Sequence, residues 1–101
     1  MIKHIVMWTI KDEHNGQKKD EIAYDLKKKL LDLKPKIPEI KDIEVGINSI
    51  NHKKNHDVIL ITKFNNFDDL KSYSTHPEHL KIIDFVKSIT TGRAAVDFTI
   101  D

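Results

Sequence analysis

The segment Ile2-Lys3-His4-Ile5-Val6-Met7-Trp8-Thr9-Ile10 decides the fold, because it alternates like a strand and is apolar on both faces. One face carries Ile2, His4, Val6, Trp8 and Ile10, and the other carries Lys3, Ile5, Met7 and Thr9. A strand with apolar side chains on both faces is buried from both sides. The sequence therefore predicts a sheet with helices on one face and further apolar cover on the other.

A helix and two strands are predicted next along the chain. A helical period starts at Gln17 and carries Ile22, Leu26, Leu30 and Leu33. Pro35 and Pro38 end this helix, since proline lacks an N–H and restricts the residue before it. Residues 43–47 and 58–64 are rich in β-branched side chains and are predicted to be strands, joined by a polar connection over residues 51–55.

The last third of the chain predicts a short helix, a longer helix and a final strand. Asn66 is a suitable N-cap for the short helix, and Pro77 is typical of the first position of the longer one. Gly92 is expected to close the connection to a strand over residues 94–100. The order β-α-β-β-α-β predicts an α+β, ferredoxin-like fold, a four-stranded antiparallel sheet with its helices on one face.

The other sheet face predicts a homodimer. Either Val6 with Trp8 or Ile5 with Met7 must point away from the helices, and such an exposed apolar face marks a partner site. A second copy packed sheet to sheet, related by a two-fold axis, is the simplest cover. The sequence thus predicts a dimeric α/β barrel.

Composition narrows the possible partners and compartments. The 101 residues are 39% hydrophobic and 33% charged, which predicts one compact domain over residues 1–101. Seventeen basic and 16 acidic residues give a net charge of +1, so neither nucleic acid nor an anionic membrane is expected as a partner. The chain has no cysteine, which excludes disulfides and thiolate catalysis. With strand-like residues from Ile2 and no apolar run of about 18 residues, a cytoplasmic location is expected.

The segment Tyr73-Ser74-Thr75-His76-Pro77-Glu78-His79 is the most distinctive candidate site. His76 is placed at the cap of the predicted helix, His79 lies one turn inside it, and Tyr73 ends the helix before. An imidazole beside a phenol can move a proton and polarise a carbonyl near pH 7. The alternative is that Tyr73 and His79 only seal the junction between the two helices.

His4 and Trp8 complete the predicted ligand site. His4 shares a strand face with Trp8, although a histidine in an apolar stripe is more commonly a hydrogen-bonded core residue. His52 and His56 flank a lysine-rich loop and are expected to be exposed rather than metal ligands. The predicted ligand-binding residues are His4, Trp8, Tyr73, His76 and His79.

Four segments taken together resemble the Dabb family, the stress-responsive dimeric α/β-barrel proteins. They are the opening strand from Ile2 to Trp8, residues 67–70, the Tyr73…His76-Pro77-x-His79 element, and Val96-Asp97-Phe98 near the end. The resemblance spans essentially the whole chain, and its most specific part is the Tyr-x-x-His-Pro-x-His element. It implies a homodimer whose two sheets close a barrel, with an apolar cavity between sheet and helices in each subunit.

The resemblance also implies roles for particular residues. One branch of the family, the plant olivetolic acid cyclases, closes a linear polyketide thioester by an aldol reaction without a cofactor. Its catalytic histidines and tyrosine resemble His4, Tyr73 and His79, but Val58 stands where that branch has another histidine. Some relatives hold a cation with backbone carbonyls after the first helix, which here would be those of Lys34, Ile37 and Ile40.

Three functions are compatible with these observations. The first is a protein that binds or transforms a small apolar, oxygenated molecule without a cofactor, with His79 as general base or acid, Tyr73 as hydrogen-bond donor and His4 orienting the ligand. The second is a non-enzymatic, stress-associated homodimer whose cavity is filled by Trp8, Leu60 and Phe85. The third is a cofactor-free or haem-handling monooxygenase, which rests on fold-level analogy.

Overall fold

The structure is a computed structural model and describes residues 1–100. Six strands and three helices follow one another along this part of the chain. They are β1 (Ile2–Ile10), β2 (Glu13–His14), β3 (Gln17–Lys18), α1 (Lys19–Leu31), β4 (Asp42–Ile47), β5 (Val58–Phe64), α2 (Phe67–Thr75), α3 (Pro77–Ile89) and β6 (Thr90–Thr99).

The main sheet has the strand order β4-β5-β1-β6, and every neighbouring pair is antiparallel. The strand that is apolar on both faces, β1, lies inside the sheet and pairs with β5 on one side and β6 on the other. The predicted ferredoxin-like sheet is therefore confirmed.

Between the first strand and the first helix, β2 and β3 form a small hairpin. Its turn residues Asn15 and Gly16 have φ values of 50° and 81°, the left-handed geometry that asparagine and glycine adopt in tight two-residue hairpins. Because Gln17 and Lys18 belong to this hairpin, α1 begins at Lys19 rather than at Gln17.

The last strand begins earlier than predicted. Gly92 lies inside β6 opposite Thr9, and β6 starts at Thr90, directly after α3. A Cβ atom at position 92 would lie 2.7 Å from the Thr9 hydroxyl, so the close approach of β1 and β6 requires glycine here. The sequence rule that glycine marks a connection fails because this glycine serves strand packing.

The core fills the space between the helices and one face of the sheet. Val6 and Trp8 of β1 and Leu60 and Phe64 of β5 are buried there, against a stripe of α1 that includes Leu26. Each such side chain contributes about 1.5–3 kcal/mol by leaving water. The face with Val6 and Trp8 thus points to the helices, which settles the alternative left open by the sequence.

The opposite face is apolar, and none of the helices within residues 1–100 covers it. Ile5 and Met7 point there, paired across the sheet with Ile61 and Ile59, and they are half-buried. On β6, Val96 is 60% exposed and Phe98 is 39% exposed. We call this surface the open sheet face; it consists of Ile5, Met7, Ile59, Ile61, Val96 and Phe98.

The junction between α2 and α3 is a single residue, His76. It is both the C-cap of α2 and the N-cap of α3, and Pro77 follows at the first helical position. The side chain of Asn66 caps the other end of α2 by accepting a hydrogen bond from the Asp69 N–H at 2.8 Å. Within residues 1–100, no helix is long and apolar enough to cross a membrane.

Candidate functional site

A cavity of about 280 Å³ lies between β1 and the helices α2 and α3, with β6 along one side. Its wall is mostly apolar and includes Val6, Trp8, Leu30, Leu60, Ile82 and Val86. Three polar rings, those of His4, Tyr73 and His79, converge on it. An apolar cavity with a few convergent polar groups is the usual composition of a small-molecule site.

Tyr73 lies at the back of the cavity and is 1% exposed. Its ring packs on Phe64, with the ring centres 5.1 Å apart. Burial raises the pKa of Tyr73 to about 12, so the phenol keeps its proton at neutral pH. Among residues 1–100 its hydroxyl has no hydrogen-bond partner, which leaves an O–H donor for a ligand.

His79 packs against Tyr73, with the ring centres 4.5 Å apart. Its Nδ1 lies 3.0 Å from the carbonyl oxygen of Ser74. Because a carbonyl only accepts, Nδ1 carries the proton and donates, and Nε2 of the neutral ring carries the lone pair. Burial lowers the pKa of His79, the Ser74 carbonyl opposing this, so the neutral form is favoured at pH 7.

His4 approaches the same patch from β1, with its ring centre 6.1 Å from that of Tyr73. Its Nδ1 is hydrogen-bonded to the carboxylate of Asp97 on β6. The His4 side chain is 14% exposed and that of Asp97 is 43% exposed, so the carboxylate holds the imidazole from the solvent side. A carboxylate bound to one ring nitrogen fixes both the orientation and the tautomer of the imidazole.

Asp97 was not predicted as a site residue. It lies 93 positions from His4 in the chain and faces it only because the β1–β6 register pairs the two. An acidic residue between the apolar Val96 and Phe98 is the available signal in the sequence, but its partner depends on that register.

The other predicted residues fall into two groups. Trp8 lines the cavity from the same face of β1 as His4, four residues further along the strand. His76 does not line it, because its ring is turned to the helix end, where Nδ1 accepts a hydrogen bond from the Glu78 N–H at 3.1 Å. Nor do the loop histidines reach the cavity: His52 bonds the Lys54 N–H, and His56 lines a separate hollow near the open sheet face.

The turn predicted to hold a cation has two features that fit. Within residues 1–100, no group of three or more His, Asp or Glu side chains could hold a metal ion. The Ile37 carbonyl accepts the Ile40 N–H at 3.2 Å, which leaves it one free lone pair. In the same turn, Glu39 has a buried carboxylate oxygen without a hydrogen-bond partner among the described residues. Carboxylate and carbonyl oxygens suit a hard cation such as Ca²⁺.

The convergence of a neutral imidazole, a protonated phenol and a carboxylate-held imidazole allows acid–base chemistry. The lone pair of His79 can accept a proton from a carbon next to a carbonyl, while the Tyr73 hydroxyl donates to the oxygen on which charge develops. One placed acid–base group contributes about 10²–10⁴-fold in rate. This suits substrates whose reacting bond is already activated.

Fold and cavity together define a small ferredoxin-like domain with a histidine- and tyrosine-lined pocket. The sequence profile of the Dabb family, described as the Stress responsive A/B Barrel Domain, matches residues 2–100. The chain therefore belongs to the Dabb family. No curated protein is significantly similar to it.

Solved structures of similar proteins agree on the fold. A dimeric protein of unknown function with a ferredoxin-like fold from Bacteroides fragilis is 33% identical, with a TM-score of 0.84 over 98% of this chain and 95% of that one. The hydroxynitrile lyase of Passiflora edulis is 13% identical, with a TM-score of 0.83 over 99% of this chain and 93% of that one.

An antibiotic biosynthesis monooxygenase is 12% identical, with a TM-score of 0.73 over 100% of this chain and 99% of that one. At 12% and 13% identity, the monooxygenase and the lyase establish a shared fold alone.

Proposed function

We propose that this protein is a homodimeric small-molecule protein that binds an apolar, oxygenated ligand between β1 and α3 and acts on it by cofactor-free acid–base chemistry. The observation that carries the proposal is the pair of Tyr73 and His79. Their rings are 4.5 Å apart in the cavity, one with an unused O–H donor and the other with an unprotonated Nε2.

The catalytic assignment follows from these two states. His79 is the proposed general base, Tyr73 the donor to the developing oxyanion, and His4 the group that orients the ligand, held in turn by Asp97. Trp8 supplies apolar contact to the ligand.

A binding and exchange assay tests this proposal. The probe is nonan-2-one, a medium-chain ketone with exchangeable protons next to its carbonyl. Thermal shift measures binding, and NMR in D₂O measures uptake of deuterium. We expect a higher melting temperature and faster exchange with the wild type, and a fall in exchange of about 10²–10⁴-fold in His79→Gln.

The matched control is His14→Gln, which removes a histidine that does not line the cavity. It should behave as the wild type. Binding with no exchange would reduce the proposal to a binding protein, and equal exchange in wild type and His79→Gln would remove His79 from the mechanism.

The non-enzymatic homodimer has one observation in its favour, since His4, His76 and His79 each have a partner within the fold. It required the cavity to be filled by side chains. Trp8 and Leu60 instead line an open volume of about 280 Å³, which favours a ligand site. No thermal shift with any ligand of a broad panel would favour the structural dimer.

The open sheet face is the proposed dimer interface. Its apolar side chains come from three strands, exposed on β6 and half-buried on β1 and β5, and the Bacteroides fragilis relative, at 33% identity, is described as dimeric. Packing two such faces about a two-fold axis would cover both and close the barrel.

A further inference from the structure

The cavity has a second polar end, formed by cations rather than by the acid–base groups. Arg93 of β6 and Lys87 of α3 line it beside Thr90, at the end away from His4. Both are exposed to solvent. Neither has a carboxylate within 4.0 Å among residues 1–100, so both are available to an anion from outside the chain.

The length of the cavity, from the acid–base groups to the cations, can be calculated along β1 and along α3, and the two values agree. Along β1, Arg93 pairs with Trp8 and Asp97 pairs with His4, so four residues separate the ends. At about 3.3 Å per residue this is ~13 Å. Along α3, eight residues separate His79 from Lys87, which at 1.5 Å per residue is about 12 Å.

The wall between the two ends is apolar. Val6 and Trp8 line it from the sheet, and Ile82, Ile83 and Val86 line it from α3. These side chains offer no hydrogen bond to the middle of a ligand, so that part of a ligand must be hydrocarbon to leave water favourably.

We infer that the ligand is an elongated amphiphile with an anionic oxygen group at one end, bound by Arg93 with help from Lys87, and with its reacting group about 12 Å away at Tyr73 and His79. The guanidinium of Arg93 presents paired N–H donors that match a carboxylate or a phosphate. Arg93 is thus a specificity-determining residue. The inference rests on the proposed function and adds the ligand class.

The test compares three probes that share one chain: decanoate, decyl phosphate and decan-1-ol. Dissociation constants are measured at pH 8 and low salt for the wild type and for Arg93→Gln. Because Arg93 is exposed, its contribution is that of a partly screened ion pair, and we expect the better anion to bind about fivefold more tightly than the alcohol. We call the ratio of an anion's affinity to that of decan-1-ol its gain, and the anion with the larger gain identifies the head group.

In Arg93→Gln that gain should disappear while the affinity for decan-1-ol stays the same. Lys87→Gln should remove a smaller part of it. The matched control is Lys71→Gln, which removes one positive charge outside the cavity and should retain the full gain.

The outcomes separate the two proposals. Binding of all three probes with equal affinity, or a gain that survives in Arg93→Gln, overturns the anionic ligand class and leaves the cavity as a ligand site. Failure of every probe to bind the wild type overturns both this inference and the proposed ligand site. A gain that also falls in Lys71→Gln would show a general charge effect and would overturn the role of Arg93.

Discussion

Replacing Val96 by aspartate is expected to separate the subunits of the proposed homodimer while each subunit remains folded. Val96 lies on the edge strand β6 of the open sheet face, paired with Ile5, and is 60% exposed in the single chain. Its side chain makes a small contribution to the subunit core, and so its main apolar burial would come from the partner.

The expected magnitude follows from that exposure. Full burial of an aliphatic side chain of this kind is worth about 1.5–3 kcal/mol, so the exposed part of Val96 leaves about 1–2 kcal/mol for the interface. A two-fold interface contains the residue twice, which gives about 2–4 kcal/mol, or a dimer dissociation constant raised roughly 30- to 1000-fold. The buried carboxylate would add to this loss.

Sedimentation equilibrium over a range of concentrations measures the dimer dissociation constant, and circular dichroism checks that the variant is folded. The matched control is Ala95→Asp, the neighbouring exposed position whose side chain points to the other face of β6. It should sediment as the wild type. A wild type that is monomeric at all concentrations, or a Val96→Asp dimer of unchanged affinity, would refute the assignment of this face.

Three other changes probe the cavity and the turn after α1. Because burial lowers the pKa of His79, the unfolded chain binds more protons than the folded one at acid pH. The contribution of neutral His79 to stability should therefore be complete above about pH 6.5 and fall as the pH drops below that value. Urea unfolding at pH 8 and pH 5.5 should show a smaller loss of stability on acidification in His79→Gln than in the wild type, and an identical loss would contradict the lowered pKa. Asp97→Asn should cost less than about 1 kcal/mol in stability, since the Asp97 side chain is 43% exposed to solvent. It should nevertheless slow deuterium exchange and change the pH profile of that exchange by releasing His4. An unchanged exchange rate would make the His4–Asp97 pair merely structural. Addition of Ca²⁺ should raise the melting temperature of the wild type more than that of Glu39→Gln, and equal shifts would exclude the Glu39 carboxylate as a ligand.

The sequence predicted elements well where one signal dominated. The apolar run at 58–64 became β5 with the same bounds, and Asn66 and Pro77 marked the starts of α2 and α3 correctly. Prediction failed for Gly92, because glycine is common both in loops and where two strands approach closely. Gly92 suggests a loop in isolation, but in the fold it allows β6 to approach Thr9.

The same distinction holds for the candidate site. The residue types of His4, Tyr73 and His79 indicate their chemistry in the sequence, and the fold brings the three side chains to one cavity. The sequence does not show the hydrogen-bond partners that fix the orientation and tautomer of the two histidine rings. The link between Asp97 and His4 depends on strand register, and that between Ser74 and His79 on the angle at the helix junction.

The single-residue junction at His76 restricts how related sequences can change in length. One residue inserted between Thr75 and His79 would turn the start of α3 by about 100° relative to α2, and would carry the His79 ring away from Tyr73. The exposed connection over residues 51–55 has no such constraint and should tolerate insertions. Family members that share this chemistry should therefore keep a fixed spacing from Tyr73 to His79. Their lengths should vary in the connection between β4 and β5.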